Sequence, residues 1–409
     1  MNIILRLAWR NLWRHKRRTW LTVGAMVFSN ILLVFLISMQ LGTYQMMIEN
    51  TLNAFSGHIQ VQHQTYNEDA KIRYSIPNII QLAEQLRAAL NSDAVSARAA
   101  AFALASSEQR SYGIQVLGVQ PQYEPQVSTL PGLLKAGRYL QDSHAEEIVL
   151  GKVLARNLKV KVGDQITLLG SGRDGSFAAA IVTVVGIFDS GIIDLDRSIA
   201  AIPLGYFQQL FSMGRHGHII VVNVPDLFAV KQWQQQINAY IEGRSNLVAR
   251  DWINLQPGLM QAIQADMSSA WFMYGILIIL VAFSVLNTQL MSVLERTREF
   301  GITMALGLQP GRLSRLILLE TGLMALLGLL LGCFIGFLIT LYFNRYGFYY
   351  PGMEEMAAKF NLPDRMYPSV SLISIMFGPV IVYIFSLLAA VYPALRLHFL
   401  KPVQAMRAA

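Results

Sequence analysis

Four runs of mostly apolar residues stand out along the chain, and each is long enough to cross a bilayer. They cover residues 20–41, 271–294, 316–343 and 370–395, and Glu320 is the one charged residue inside them. A membrane-spanning helix needs about 20 mostly apolar residues. The first run follows basic residues, as in a signal peptide, but its length and the lack of a clear cleavage pattern favour a retained helix. The sequence therefore predicts four transmembrane helices.

The apolar pattern of the first two runs extends beyond the membrane. A helix over residues 19–55 would rise about 55 Å, whereas the hydrocarbon core of a bilayer is about 30 Å thick. Pro257 is typical of a helix start and leads into the second run. We therefore predict that both helices continue outside the membrane as stalks. Stalks of this kind either transmit movement or act as simple tethers, and the pattern fits both.

The region between the stalks, residues 56–256, has the short periodicities of an α+β domain. Alternating and β-branched runs predict strands, and one-faced apolar stripes predict helices. Strands are predicted at 57–63, 114–119, 166–169, 180–187 and 219–224, and helices at 79–90, 152–158 and 227–241. The region is large enough to bury its own core, as one lobe or as two.

Charge then orients the chain. Hydrophobic residues make up 54% of the sequence and charged residues 14%, yet the net charge is +8. A basic excess fits either nucleic-acid binding or the cytoplasmic loops of a membrane protein. Segments 1–19, 295–315 and 396–409 together hold 13 basic and 2 acidic residues, whereas 42–270 is nearly neutral. This distribution places both termini in the cytoplasm and removes the support for nucleic-acid binding.

The predicted fold class is therefore an α-helical membrane protein with four transmembrane helices and a large α+β periplasmic domain inserted between helices 1 and 2. The predicted plan assigns the chain as follows: 1–18 cytoplasmic amphipathic segment, 19–55 helix 1 and stalk, 56–256 periplasmic domain, 257–294 stalk and helix 2, 295–315 cytoplasmic helix and loop, 316–343 helix 3, 344–369 short periplasmic loop, 370–395 helix 4, and 396–409 cytoplasmic tail.

Catalytic and ligand-binding motifs are weak. The single cysteine, Cys333, excludes an intramolecular disulfide and a cysteine-based zinc site. Residues 170–175 fit the pattern G-x-G-x-x-G, but a strand-like segment follows where a dinucleotide site needs a helix, so we interpret them as a hairpin loop. His216 and His218 lack a convincing third ligand, which favours a structural role over a metal site. We predict no catalytic, cofactor or metal site on this chain.

Three features of the membrane segments indicate helix packing. Gly328, Gly332 and Gly336 recur every four residues, which allows a neighbouring helix to approach closely. The polar residues between Ser284 and Gln289 suit hydrogen bonds between helices. Glu320 is either functional or, as we favour, paired at the interface with Arg312 or Arg315.

The segment after the second run is the strongest functional candidate. Charged residues at the membrane boundary precede apolar ones, Phe300, Ile302, Met304 and Leu306, and Gly307 with Pro310 ends the element. A short amphipathic helix with apolar contact surface and charged edges suits docking into a groove of another protein. A plain interfacial helix is the alternative.

This segment carries a resemblance to a known family. The residues E-R-T-R-E-F-G-I from Glu295 and A-L-G from Ala305 resemble the coupling-helix signature of ABC transporter permeases of the MacB/FtsX type. Residues 8–22 resemble the family's N-terminal amphipathic segment, and 392–407 resemble its closing motif, with Met406 for the usual leucine. Segments 57–61, 149–155, 162–164 and 184–189 are similar to the lipoprotein-releasing (LolC/LolE-like) branch.

The resemblance implies a mechanism and partners. A dimer of a separate cytoplasmic ATPase, which holds ATP and Mg, would dock on the coupling helix, and the stalks would pass its motion to the outer domains. Further implied partners are a second permease chain, in a homo- or heterodimer, a periplasmic carrier or adaptor, and membrane lipids. The residues that the resemblance implies for ATPase coupling are Glu295, Arg296, Arg298, Glu299, Phe300, Gly301, Ala305, Leu306 and Gly307.

Three functions remain open for such a subunit in the inner membrane, and a membrane-anchored enzyme with its active site outside is the least favoured of them. The first is a non-catalytic permease that extracts or exports an amphiphile, such as a lipoprotein. The second is a transducer that activates a periplasmic partner, as in the cell-division members of the family. The size of the outer region and the likeness to the lipoprotein-releasing branch favour the first.

Overall fold

The computed structural model describes residues 3–14, 16–244, 246–349, 351 and 365–399. Parts of two predicted segments, the loop 344–369 and the tail 396–409, lie outside the described residues, as does the end of the closing motif after Phe399. The chain divides into two compact units. A helical unit contains residues 1–45, 263–350 and 364–409, and a sheet unit contains residues 46–262 and 351–363.

The helical unit is built from long helices and two shorter ones. They are α1 (Ile3–Arg14), α2 (Lys16–Thr51), α10 (Pro257–Glu295), α11 (Thr297–Ala305), α12 (Pro310–Tyr346) and α13 (Leu372–Arg396), and α2 ends in the sheet unit whereas α10 begins there. Four of them are long and apolar enough to cross a membrane, namely α2, α10, α12 and α13. The four predicted spans thus each correspond to one such helix.

Within the residues that the structure describes, the sheet unit holds ten strands and several shorter helices. The strands are β1 (Ile59–His63), β2 (Val95–Ser106), β3 (Ser111–Val119), β4 (Leu134–Gly137), β5 (Glu147–Gly151), β6 (Gln165–Ser171), β7 (Phe177–Phe188), β8 (Ile199–Pro203), β9 (Ile219–Val222) and β10 (Leu247–Asp251). The helices are α3 (Ile79–Leu90), α4 (Glu124–Val127), α5 (Lys152–Leu158), α6 (Ile193–Ser198), α7 (Leu204–Leu210), α8 (Val230–Ile241) and α9 (Trp252–Leu255).

Strand β2 organises the sheet. Its first four residues, from Val95 to Arg98, pair with β9, and its last four, from Ala103 to Ser106, pair with β6. Strands β2, β3, β8, β5, β7 and β6 form a closed ring of hydrogen-bonded neighbours, and β9, β1 and β10 extend from β2. Strand β2 belongs to both the ring and the extension. The two parts are therefore joined in one sheet and are not separate lobes.

Local patterns in the sheet unit predicted the helices well. The predicted helices at 79–90 and 152–158 are confirmed as α3 and α5, and 227–241 begins as a 3-10 turn before α8. Strand β2 was missed because it is rich in alanine, which is uncommon in strands. Small side chains are tolerated there because the strand is paired on both sides and mostly buried.

The G-x-G-x-x-G segment is confirmed as a hairpin loop. Strand β6 ends at Ser171, β7 begins at Phe177, and the two pair as antiparallel neighbours. The Gly172 amide donates to the carbonyl of Ser176 at 2.8 Å, and the Asp174 carboxylate accepts from the Ser176 amide at 2.9 Å. No helix begins at this loop in the part of the chain described, so the requirement of a dinucleotide site is not met.

The predicted stalk of helix 1 is helical to Ser56, one residue past the predicted boundary, but its last turn is not α-helical. Helix α2 ends at Thr51, and residues Leu52–Ser56 form a π-helical turn. Gly57 follows with φ of 66°, and a Cβ there would lie 2.3 Å from Cγ1 of Val221. Glycine at this position therefore allows both the backbone conformation and the close approach of β9.

Candidate functional site

The predicted coupling helix is a distinct short element between two long helices. Helix α10 ends at Glu295, Arg296 adopts a non-helical conformation, and α11 runs over Thr297–Ala305. Gly307 then has φ of 98°, a conformation that favours glycine, and Pro310 opens α12. The sequence therefore breaks the helix twice, and α11 can take its own direction between α10 and α12.

One face of α11 packs against the helical unit. Phe300 is 3% exposed and belongs to a cluster with Val293, Leu313, Ile317, Ala394 and Leu397. Gly301 beside it is also buried. The expectation that Phe300 adds contact surface for a partner is therefore wrong, because its ring is already covered by α10, α12 and the end of α13. Phe300 anchors α11 instead.

The opposite face and the end of α11 are open. Arg298, Ala305 and Gly307 are exposed, and Leu306 is 84% exposed. Ile302 is 47% exposed, so an apolar contact surface exists, although it is smaller than the sequence predicts. Of the residues predicted for ATPase coupling, the exposed ones on this face are those free to contact a partner.

Ion pairs connect α11 and the end of α10 to the N-terminal helices. The Arg18 guanidinium lies 2.6 Å from Glu295 and donates to the Ser292 hydroxyl at 2.7 Å. Arg14 at the end of α1 lies 3.1 Å from Glu299. These pairs, together with Arg296, Glu320 and Asn11, form what we call the helix network.

Glu320 is the buried centre of the helix network. Its carboxylate accepts from Arg296 at 3.1 Å on both oxygens and from the Asn11 amide at 2.7 Å. The predicted partners, Arg312 and Arg315, are exposed and make no ion pair with it. The expected pairing is wrong because Glu320 faces the inside of the bundle, whereas those two arginines face outward from α12.

Arg296 links this carboxylate to the coupling helix. Its guanidinium lies 4.9 Å from the centre of the Phe300 ring and 3.6 Å from Glu299. Arg296 therefore contacts α12 through Glu320, and it contacts α11 through Glu299 and Phe300. A displacement of α11 would disturb several of these contacts at once.

A second set of contacts surrounds the turn that follows α2. Arg98 on β2 and Glu124 on α4 form an ion pair at 2.6 Å, and both side chains are 2% exposed. Arg98 also donates to the carbonyl oxygen of Phe55, and Ser96 donates to Glu124 at 3.3 Å. We call these residues, with the turn Leu52–Ser56, the sheet network.

The turn itself is held by further hydrogen bonds. The Ser128 hydroxyl donates to Ala54 at 3.0 Å, and the Thr129 amide donates to Asn53 at 2.8 Å. Gln60 donates to the Ser56 carbonyl at 2.7 Å. Sequence reasoning missed this network. Arg98 within a run of alanines is the signal that could have found it, because a charge in a buried strand requires a partner.

The glycine stripe on α12 meets helix α2. A Cβ at Gly328, Gly332 or Gly336 would lie 2.7, 2.4 or 3.0 Å from Cβ of Met26, Asn30 or Val34 respectively. The Asn30 amide donates to the Gly328 carbonyl at 3.1 Å, so the pair of helices is joined by a polar contact as well. The partner residues also recur every four positions, which matches the periodicity of the glycines.

The two histidines of the predicted weak metal motif have separate structural roles. The buried ring of His218 accepts from the Ala100 amide at 2.9 Å and donates to the Ile72 carbonyl at 3.0 Å. Burial lowers its pKa to about 4. His216 contacts the Met213 carbonyl at 3.1 Å. Among the described residues, no group of three or more His, Cys, Asp or Glu side chains could hold a metal ion.

Comparison with known proteins agrees with this architecture. The lipoprotein-releasing system transmembrane protein LolC of Xylella fastidiosa (strain Temecula1) is 25% identical over 315 residues, covering 73% of this chain and 74% of that protein. LolE of Haemophilus influenzae is 26% identical over 307 residues, or 72% of each chain. The macrolide export ATP-binding/permease protein MacB of Neisseria gonorrhoeae is 22% identical over 220 residues, 52% of this chain and 34% of that protein.

Two domain families match consecutive parts of the chain. The MacB-like periplasmic core domain matches residues 19–240, more than half of the sequence. The FtsX-like permease C-terminal region matches residues 271–400, which include α11, α12 and α13. With its four apolar helices, the chain fits a multi-pass inner-membrane protein. It belongs to the family of ABC transporter permeases with a MacB-like periplasmic core and an FtsX-like C-terminal region.

Proposed function

We propose that this chain is the non-catalytic permease subunit of an ATP-driven machine that extracts or exports an amphiphile from the inner membrane. A separate cytoplasmic ATPase dimer, which binds ATP and Mg, docks on α11. Its closure moves α11, and helices α2 and α10 pass the motion to a periplasmic domain inserted between them. A second copy of the chain or a related permease completes the complex, and both termini lie in the cytoplasm.

The observation that carries this proposal is the two-sided construction of α11. Its inner face is fixed to four other helices, α1, α10, α12 and α13, through Phe300, Arg296 and Glu299, while Leu306 and Ile302 stay exposed. An interfacial helix that only lies on the membrane surface would not need ion pairs to α1 and α12. A docking helix needs both features, a free face for the partner and a firm attachment through which force reaches the bundle.

The attachment at the other end of α2 supports the transmission of motion. The turn after α2 is held by the Arg98–Glu124 pair and by hydrogen bonds to four of its five residues, Asn53, Ala54, Phe55 and Ser56. A tether would tolerate a loose connection, because it only has to keep the domain attached. A connection held by this many hydrogen bonds and a buried ion pair favours a lever over a tether.

The substrate class is inferred from the relatives. The names of LolC and LolE describe a lipoprotein-releasing system, and these proteins match about three quarters of the chain. We infer an amphiphile of this kind, such as a lipoprotein, handed to a periplasmic carrier or adaptor. The alternative function is a transducer whose moving domain activates a periplasmic partner protein.

A charge placed on the free face of α11 tests the docking step. We expect Leu306→Asp to abolish co-purification of the ATPase and its stimulation, because the aspartate would have to be buried without a partner. Membrane insertion should be unchanged, since Leu306 is 84% exposed. Phe399→Asp, at a residue that is 85% exposed after α13, is the matched control. Normal ATPase binding and activity in L306D would contradict the proposed docking site.

The substrate assignment needs its own experiment. With the reconstituted complex in vesicles, we expect a lipid-modified peptide or lipoprotein to stimulate ATP hydrolysis and to be released to the aqueous phase. If amphiphiles leave the rate of ATP hydrolysis unchanged and a periplasmic protein binds stably, the transducer is favoured instead.

A further inference from the structure

We infer that the groove between α12 and α13 is a binding site for an anionic glycerophospholipid of the bilayer. The groove has a volume of about 750 Å³ and lies on the surface of the helical unit. Its walls are mostly leucine, isoleucine and valine side chains from both helices, and Arg315 is the first residue of α12 that lines it. This inference concerns the lipid that surrounds the permease and does not depend on the substrate proposed above.

The shape of the groove matches one acyl chain. From Arg315 to Leu326, helix α12 rises about 16 Å at about 1.5 Å per residue. Half of the hydrocarbon core of a bilayer is about 15 Å thick. The apolar walls therefore extend from the membrane surface to its middle, as a single acyl chain of one leaflet does.

Gly322 keeps the groove open on its α12 side. The nearest atoms to a Cβ at this position are Cδ2 of Leu387 at 3.5 Å and the Tyr383 hydroxyl at 3.8 Å. Gly328, Gly332 and Gly336 differ, because a Cβ there would collide with α2. Gly322 is therefore not needed for helix packing, and the space beside it is available to a chain of methylene groups.

The charge at one end of the groove selects an anionic head group. Arg312 lies one turn before Arg315 on α12, and Arg396 is the last residue of α13. The Ser314 hydroxyl donates to the Ala394 carbonyl at 2.7 Å, which brings the start of α12 and the end of α13 together. Basic residues between transmembrane helices at the cytoplasmic side are typical of sites for anionic lipid head groups.

These three arginines have no competing carboxylate. All three are exposed, and none makes an ion pair with an acidic residue of the described part of the chain. The nearby acids Glu295, Glu299 and Glu320 are already paired with Arg18, Arg14 and Arg296. A phosphate with a net negative charge is the complement that remains, because guanidinium and phosphate form strong, charge-assisted hydrogen bonds.

Lipid titration of the purified, delipidated full-length chain tests the site. The probes are phosphatidylglycerol and phosphatidylcholine with identical acyl chains, and retention is measured by native mass spectrometry alongside the thermal midpoint. We expect phosphatidylglycerol to be retained and to raise the midpoint more than phosphatidylcholine. Arg315→Gln should weaken phosphatidylglycerol binding about fivefold, the effect of one basic residue at a charged membrane surface.

Two further variants separate the parts of the site. Gly322→Leu fills the groove and should reduce retention of both lipids, whereas Arg345→Gln, an exposed arginine at the far end of α12, should leave both unchanged. Equal retention of the two lipids by the unmodified chain would overturn the inference. So would a lipid-free dimer of the chain that Gly322→Leu dissociates, because the groove would then hold a second copy.

Discussion

The helix network lies at the start of helix α2 and the sheet network lies at its end, and the two differ in how far they are buried. In the sheet network both charged side chains are 2% exposed, and Arg98 contacts Glu124 and the Phe55 carbonyl together. In the helix network burial is graded: the side chain of Glu320 is 7% exposed, whereas those of Arg14 and Glu299 are 60% and 48% exposed. One network is sealed from water, and the other has an open rim.

This difference bears on how the two networks respond to force. A buried ion pair that loses one partner leaves a charge without solvent, which is strongly destabilising. Exposed ion pairs exchange their partner for water at little cost. The sheet network therefore holds a single arrangement, whereas the rim of the helix network can rearrange. That is the property expected of the side on which we propose that an ATPase acts.

The largest effect is expected for Arg98→Ala. Removal of the guanidinium leaves Glu124 buried without its partner, so the free energy of unfolding should fall by about 3–5 kcal/mol. Thermal unfolding of the full-length chain measures the loss, and hydrogen exchange at residues 53–56 locates it. The double variant Arg98→Met/Glu124→Leu should recover most of the stability, since no lone charge remains. If the single and double variants lost similar amounts of unfolding free energy, the conclusion that the sheet network is sealed from water would be wrong.

A smaller effect is expected for Glu320→Ala in the helix network. The carboxylate accepts three hydrogen bonds, but Arg296 keeps Glu299 and Phe300 as neighbours, so we expect a loss of about 1–3 kcal/mol. Thermal unfolding under the same conditions as for Arg98→Ala gives the comparison. A loss equal to or larger than that of Arg98→Ala would show that the helix network is sealed as well.

Acid should weaken the sheet unit through His218. The pKa of this histidine is about 4 in the folded chain against an ordinary value of 6.5, so the unfolded chain binds the proton first. The stabilising contribution is complete above pH 6.5 and is lost as the pH falls toward 4, by up to about 1.4 kcal/mol per pH unit. His218→Gln should flatten this part of the stability profile. The pKa of His58 is also lowered by burial, so part of the slope should remain.

The smallest effect is expected for Arg14→Ala. Its ion pair with Glu299 is exposed on both sides, so the free energy of unfolding should change by less than about 1 kcal/mol. Raised salt should reduce the difference between Arg14→Ala and the unmodified chain, because salt screens this ion pair and only the unmodified chain has it. If Arg14→Ala destabilised the chain as much as Glu320→Ala, the graded description of the helix network would be wrong.

The sequence predicted features that depend on neighbouring residues in the chain. Helix α3 and α5 have the predicted bounds, and the loop 170–175 is the predicted hairpin. Each of these follows from local periodicity or turn composition. Strand β2 was missed because alanine carries little strand signal, and its pairing with β3, β6 and β9 joins residues far apart in the chain.

The candidate site divides in the same way. The position of α11 was predictable from its charge pattern and from Gly307 and Pro310. The burial of Phe300 was not, because it depends on Leu397 and Ala394 from the last helix. Glu320 was assigned to arginines on its own helix, whereas its partners are Arg296 and Asn11 from other elements.

By itself, the sequence determined the number of apolar helices, the alternation of charge along the chain and the place of the short helix between two long ones. These properties depend on composition and on contacts within a few residues. Only the tertiary structure decided which charges are paired, which aromatic ring is covered and where a groove remains open. Those outcomes depend on which faces of the helices approach each other. Adjacent residues of a helix point in different directions, so a buried residue can be followed directly by an exposed one.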